Sequence, residues 1–295
     1  MEYRKLGRTG LDVGVIGLGT EYLLHAGRPV IDAVLGRAVE AGVNYVDLLY
    51  GHPAFNDDLA PALAGGRREK LLLAAHLDVG EENGQPAWIA EWQRCEPFFQ
   101  DTLARLHLEY VDVLLLQMVD SDWAYEQHFL PLLEVAHRYQ REERARWIAA
   151  SSHKAPAAMR LVESGLIDVL MFPVNPAGDT LPGHHELYEA CARAGVVFVH
   201  WVQSGGESME VQRSARLTPV RCLGYCLAQP AVATAVPGVK DVAELEAALA
   251  YLEAGSAERD PAALAREVRR YALGVCLYCN HCLPCAASID IGAAM

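Results

Sequence analysis

Four cysteines recur every third residue in the run CLYCNHCLPC, at Cys276, Cys279, Cys282 and Cys285. Spacing this short lets successive thiolates wrap one inorganic core, and C-x2-C-x2-C is the pattern of ferredoxin-type iron–sulfur ligation. The expectation is a 4Fe-4S cluster on these four side chains. Cys285 is the ligand the pattern fixes least, because two-cluster ferredoxins send their fourth cysteine elsewhere. Cys222 or Cys226 is its substitute. Zinc is the alternative, although zinc modules usually place a dozen or more residues between one C-x2-C pair and the next. Disulfides fit poorly, since cysteines this close would close strained loops. His281, inside the run, is expected to tune the cluster through a hydrogen bond. Cys222 and Cys226 stand four apart, on one face of an expected helix, and read first as small buried apolar side chains.

The remainder has the composition of a soluble enzyme. At 295 residues and 52% hydrophobic content the chain can bury a large core. A net charge of −13 argues against nucleic acid or an anionic membrane surface as partner. The opening MEYRKLGRTG has no apolar h-region, and no apolar run is long enough to span a bilayer. A cytoplasmic protein is the expectation, in a compartment where thiols and a cluster survive.

The elements that must position this chemistry alternate regularly. Strand-like runs fall at 15–18, 44–48, 71–75, 111–116, 147–150, 169–172, 196–200 and 232–236. Helix-like segments between them include 31–41, 87–106, 129–139, 155–163, 186–194 and 242–252. Eight such units predict a (β/α)8 TIM barrel, with an open doubly wound sheet as runner-up. Asp241 and Glu244 read as a helix-capping pair, and His184-His185, in a Pro-Gly loop, as surface residues. Residues 254–263 are the expected link, dividing a barrel of 1–255 from a cluster-bearing tail of 256–295.

The segments YRKLGRTGLDVGVIGLGT, GVNYVDLLYG, YVDVLLLQ, ARWIAASSH and PAVATAVPGVKDVAELE resemble the aldo/keto reductase superfamily. With the cysteine tail and SGLIDVLMFPVNPA, the chain is most similar to that superfamily's iron–sulfur, ferredoxin-like branch. The resemblance implies a TIM barrel closed at its bottom by an N-terminal hairpin at about 2–13, with chemistry at the C-terminal strand ends. Its catalytic set of Asp, Tyr, Lys and His falls on Asp47, His52, His76 and Gln117, so three of the four types are changed. A shifted alignment would put the tyrosine at Tyr50. Carbonyl reduction needs a proton for the developing alkoxide, which a phenol tuned by an ammonium ordinarily supplies. Imidazole also donates protons, with an unperturbed pKa of about 6.5. His52 could therefore act as the acid, with ordinary aldehydes expected to be poor substrates.

The same resemblance implies NADP(H) contacts at Ser151 and Ser152, Trp201, Gly205, Gly206 and Lys240. Met171 replaces a usual glutamine, and Asp241 beside Lys240 would repel a 2′-phosphate unless it points away as a helix cap. The early GLGT lacks the GxGxxG spacing of a dinucleotide fingerprint. His52, His76 and His200, with Asp47 and Trp201, are expected to face one pocket, with Gln117, Glu21 and His153 as neighbours. Such a set could bind substrate or hold a divalent metal in the barrel mouth. The leading expectation is an iron–sulfur oxidoreductase passing electrons or hydride to a small molecule, with a redox protein as a further partner. A metal-dependent hydrolase or lyase with a structural cluster, and a non-catalytic redox sensor or electron carrier, are the alternatives.

Overall fold

A computed structural model describes residues 1–49, 51–176, 179, 181–203, 218–262, 264, 285, 287 and 289, with strand 197–203 described by its backbone alone. Tyr50, Gly205, Gly206, Cys276, Cys279, His281 and Cys282 lie outside the described residues, as do the side chains of His200 and Trp201.

The chain opens with a hairpin, β1 (Tyr3–Lys5) and β2 (Asp12–Gly14), and continues through β3 (Leu18–Gly19), β4 (Tyr45–Leu48) and β5 (Leu72–His76). A second hairpin follows, β6 (Val79–Glu82) and β7 (Gln85–Trp88), and then β8 (Val111–Leu116), β9 (Ala145–Ser151), β10 (Val169–Met171), β11 (Val197–Gln203) and β12 (Val232–Gly238). Strands β3, β4, β5 and β8 to β12 pair in parallel and close into a barrel. The eight expected strands are these eight. Their sequences read as continuous apolar runs because both faces are covered, and every residue of β8 is buried.

Two apolar clusters fill the body. Tyr45, Ala74, Val113, Leu115, Ala149, Val169 and Val236 fill the barrel interior together with Leu6 and Val13 from the first hairpin. A larger cluster packs the strands' outer faces against helices α1 (Arg28–Glu40), α2 (Pro53–Leu63), α3 (Cys95–Arg105), α4 (Leu130–Arg141), α5 (Ala155–Ser164), α6 (His184–Ala194), α7 (Pro219–Leu227) and α8 (Val242–Leu249). Arg4 ties the first hairpin to the carbonyls of Leu227 and Val232, and Arg8 ties it to Asp168 and the Ile167 carbonyl. Asp112, buried near the start of β8, accepts the Leu73 N–H at 2.9 Å and pairs with Arg146 at 3.0 Å and Arg68 at 3.1 Å. These pairs lie at the N-terminal strand ends, the face that serves stability in this fold.

The helix expected over 87–106 is corrected. Residues 85–88 belong to β7, and the helix begins only at Cys95. Asn83 and Gly84 both take positive φ, 55° and 75°, the conformation of a tight two-residue hairpin turn. That turn makes the apolar residues after it a strand. The helix at 53–63 is an addition to the segments read from sequence. Asp241 caps α8 as expected, accepting the Glu244 N–H at 2.9 Å. His184 is buried against Phe172 and Asp179 and is not a surface residue, whereas His185 is exposed.

Helix α7 lies so close to residues 255–259 that a Cβ on Gly224 would overlap the Arg259 carbonyl. Gly224→Ala is expected to cost about 1–3 kcal/mol in denaturant unfolding, because backbone on both sides must move. Gly255→Ala, whose Cβ would meet nothing within 4 Å, should stay within about 0.5 kcal/mol.

Candidate functional site

The parallel register delivers chemically active residues to one end of the barrel. Asp47 lies opposite Ala74, His76 opposite Leu115 and Ser151 opposite Met171. They open on a cavity at the mouth of the barrel. Its polar lining includes Glu21, Asp47, His76, Gln117, Ser151 and His153, facing apolar walls built largely from Trp88, Met171 and Phe172.

His76 is the centre of the polar wall. Its Nε2 lies 2.8 Å from Asp47 Oδ1 and its Nδ1 lies 3.1 Å from Gln117 Oε1. Carboxylate and amide oxygens both accept, so the ring donates from both nitrogens and is held as imidazolium. Burial presses its pKa down, yet the charge and hydrogen bond of Asp47, with help from Asp78 and Gln117, outweigh that and leave it raised. The side chains of His76 and Asp47 are 1% and 3% exposed.

A second carboxylate organises the loops that follow β8 and β9. Asp120 accepts the Ser152 hydroxyl at 2.9 Å and the His153 N–H at 2.6 Å, and its other oxygen lies 3.1 Å from His153 Nδ1. Ser151 accepts the Met118 N–H at 3.0 Å, and its hydroxyl proton has no acceptor among the described residues. A nicotinamide carboxamide oxygen would fit that donor, and buried Met171 supplies apolar surface beside it. Lys240 is exposed, and its ammonium is 2.8 Å from Glu244. Asp241 is turned into the helix end as its cap, away from any phosphate on Lys240.

The shared histidine pocket is corrected. His52 does not line the cavity; its Nε2 lies 3.2 Å from Glu81 on β6, with the His25 ring edge-on at 6.4 Å. The residue stands at the N-cap of α2 in extended conformation just before Pro53, and the chain turns its ring toward the second hairpin. Among the described residues no group of three or more His, Cys, Asp or Glu side chains is arranged to hold a metal ion.

Sequence reasoning missed Asp78, Trp88, Asp120 and His128. Asp78 is wholly buried and binds the Gln117 N–H, the Trp88 indole and His128. An acid two residues beyond His76, followed by an Asn-Gly hairpin, was the signal that could have found it.

Comparison with known proteins agrees with this geometry. Residues 14–221 match the model of the aldo/keto reductase family, and the chain belongs to that family. An uncharacterized oxidoreductase of Bacillus subtilis, YqkF, is 24% identical over 83% of this chain and 89% of its own length. Protein tas of Escherichia coli is 24% identical over 54% of each chain. The holo form of aldo-keto reductase AKR11C1 from Bacillus halodurans superposes with a TM-score of 0.74 at 19% identity, covering 90% of this chain and 96% of that one. The protein is thus an oxidoreductase of the aldo/keto reductase type on a parallel α/β barrel. No helix among the described residues is long and apolar enough to cross a membrane.

Because the folded pKa of His76 is raised, the pair's contribution to stability is complete below the unfolded value of about 6.5 and is lost as pH rises through the folded value. Replacing His76 by Ala strands a buried carboxylate and should cost about 3–5 kcal/mol at pH 6. In urea unfolding across pH 6 to 10, the gap between the unaltered protein and His76→Ala should narrow as pH rises.

Proposed function

We propose that the protein transfers hydride or electrons to an uncharged carbonyl compound in the barrel mouth, with Asp47, His76 and Gln117 replacing the family's phenol-based proton delivery. The observation that carries this reading is the imidazole of His76, buried between Asp47 at 2.8 Å and Gln117 at 3.1 Å on the cavity wall. NADP(H) is the proposed hydride source, supplying hydride from its nicotinamide when bound. Ser151, Ser152, Trp201, Gly205 and Gly206 would hold its nicotinamide side. Lys240 would take the 2′-phosphate in exchange for Glu244.

The chain's own residues then act on the substrate oxygen. Gln117 spends its amide oxygen on His76 and keeps its N–H groups to donate where negative charge develops. His76 holds the proton, and Asp47 keeps the ring charged and oriented. His52, tied to Glu81, stands as a residue of the mouth's edge in this reading and is not the acid. Among the described lining residues there is no Lys or Arg, while Glu21 and Asp47 contribute carboxylates. Neutral carbonyl compounds are therefore favoured over those bearing a carboxylate or phosphate.

The second half of the proposal concerns the tail. Residues 1–255 form the reductase barrel, and 256–295 carry a 4Fe-4S cluster on Cys276, Cys279, Cys282 and Cys285. Support comes from the cysteine spacing, and from Cys285, whose N–H donates to Gln85 at 3.2 Å on the hairpin that walls the cavity. A redox protein could feed electrons into the site through such a cluster.

Anaerobic purification is expected to yield about four irons and four sulfides per chain, as the cluster type requires; zinc in their place would reject the cluster. Simple aldehydes with NADPH should turn over about 10²- to 10⁴-fold more slowly than with a phenol donor. A Gln117→Leu variant should lose most of whatever carbonyl turnover is found. Activity on carbonyls should fall as pH rises through the raised pKa of His76, measured as kcat/KM against pH. Vigorous turnover of ordinary aldehydes, flat with pH, would refute the role of the His76 chain.

A further inference from the structure

Behind the cavity wall lies a second buried Asp–His pair. Asp78 and His128 have no exposed surface, and neither lines the cavity. Both Asp78 oxygens accept the Gln117 N–H, at 3.1 and 2.9 Å. One of them also accepts the Trp88 indole N–H at 3.3 Å and lies 2.9 Å from His128 Nε2. The other ring nitrogen of His128 lies 2.9 Å from the Ala90 carbonyl oxygen. The Trp88 and His128 rings meet edge to face at 4.9 Å.

Three features argue that this cluster serves more than packing. Burying an acid and an imidazole carries a desolvation cost that their hydrogen bonds must offset, and an apolar pair of the same volume would usually serve stability as well or better. His128 reaches Asp78 from a π-helical turn, Tyr125–Phe129, a distortion found often at functional sites. The segment clamped by Asp78 is strained: Met118, directly after Gln117, is a non-glycine residue at φ 63°. Such conformations are costly and persist where the surroundings over-determine them. Here consecutive N–H groups are held by two different side chains, Gln117 by Asp78 and Met118 by Ser151.

We propose that Asp78 is a positioning residue that fixes the Gln117 backbone, and so its amide against His76, in one unit with the Trp88 wall of the cavity. The proposal rests on the reading of Gln117 as a member of the proton chain. It makes Asp78 and His128 determinants of where a carbonyl oxygen sits relative to the apolar wall, although neither reaches the ligand.

The test reads hydrogen bonding directly in the protein as purified, without turnover. In nitrogen-15 labelled protein the ring N–H protons of His76 are observed by NMR and assigned by their loss in His76→Gln. Asp78→Asn should abolish or markedly shift the Nδ1 proton signal, because the Gln117 acceptor moves, and should shift the Trp88 indole resonance with it. His128→Gln, which keeps a neutral donor to the carboxylate, should retain the His76 signal. A folded Asp78→Asn protein whose His76 Nδ1 proton is unchanged would overturn the proposal. So would loss of that signal in both variants, which would mark a general loss of packing. Should Asp78→Asn not fold alone, Met118→Gly in the same chain relieves the left-handed strain and should restore a fold in which the signal is read. If that double variant also fails to fold, Asp78 serves the fold as a whole and the positioning role is rejected. A chain that reduces no carbonyl would still give these outcomes, so this proposal and the proposed function fail separately.

Discussion

Two opposite charges are buried together where the second and third barrel strands end, and the arrangement of the mouth follows from keeping them paired. Burial alone would drive an imidazolium at His76 to neutrality, and Asp47 at 2.8 Å outweighs that, provided the remaining ring proton finds an acceptor. Gln117 is that acceptor, so its backbone must be held, and Asp78 and the strained Met118 follow from that need. One electrostatic requirement thus runs from β4 through β5 to β8 and into the second hairpin.

The two ends of the barrel solve the problem of buried carboxylates in different ways. At the N-terminal end Asp112 is paired with Arg68 and Arg146, and Asp168 with Arg8. Guanidinium stays charged at any physiological pH, and its planar fork fits a carboxylate with little further ordering. At the catalytic end Asp47, Asp78, Asp120 and Asp179 meet His76, His128, His153 and His184. One face pairs its carboxylates with guanidinium and the other with imidazole, although both use the same acid.

Family membership rests on the core. A barrel can be kept at 19–24% identity because its core needs only apolar volume at the right period. Here the apolar pattern is retained, and an imidazole and an amide stand where β5 and β8 end. The second hairpin shapes the same end of the barrel. It supplies Trp88 to the wall and Glu81 to His52, and thereby takes His52 out of the cavity.

By itself the sequence showed the eight strands of the barrel, and its resemblance to the family pointed to the N-terminal plug and to Asp47, His76, Gln117 and Ser151. The strands were legible because a parallel strand covered on both faces leaves a continuous apolar run. The cap of α8 was legible for a similarly local reason, since Asp241 acts within one helical turn. Tertiary structure alone decided which histidines meet which acids. Residues 78 and 128, or 120 and 153, become neighbours only when separate strands and helices close the ring, and no spacing along the chain records that. It also decided that His52 turns outward and that residues 85–88 form a strand. Periodicity was ambiguous there, and an Asn-Gly turn with two positive φ angles settled it.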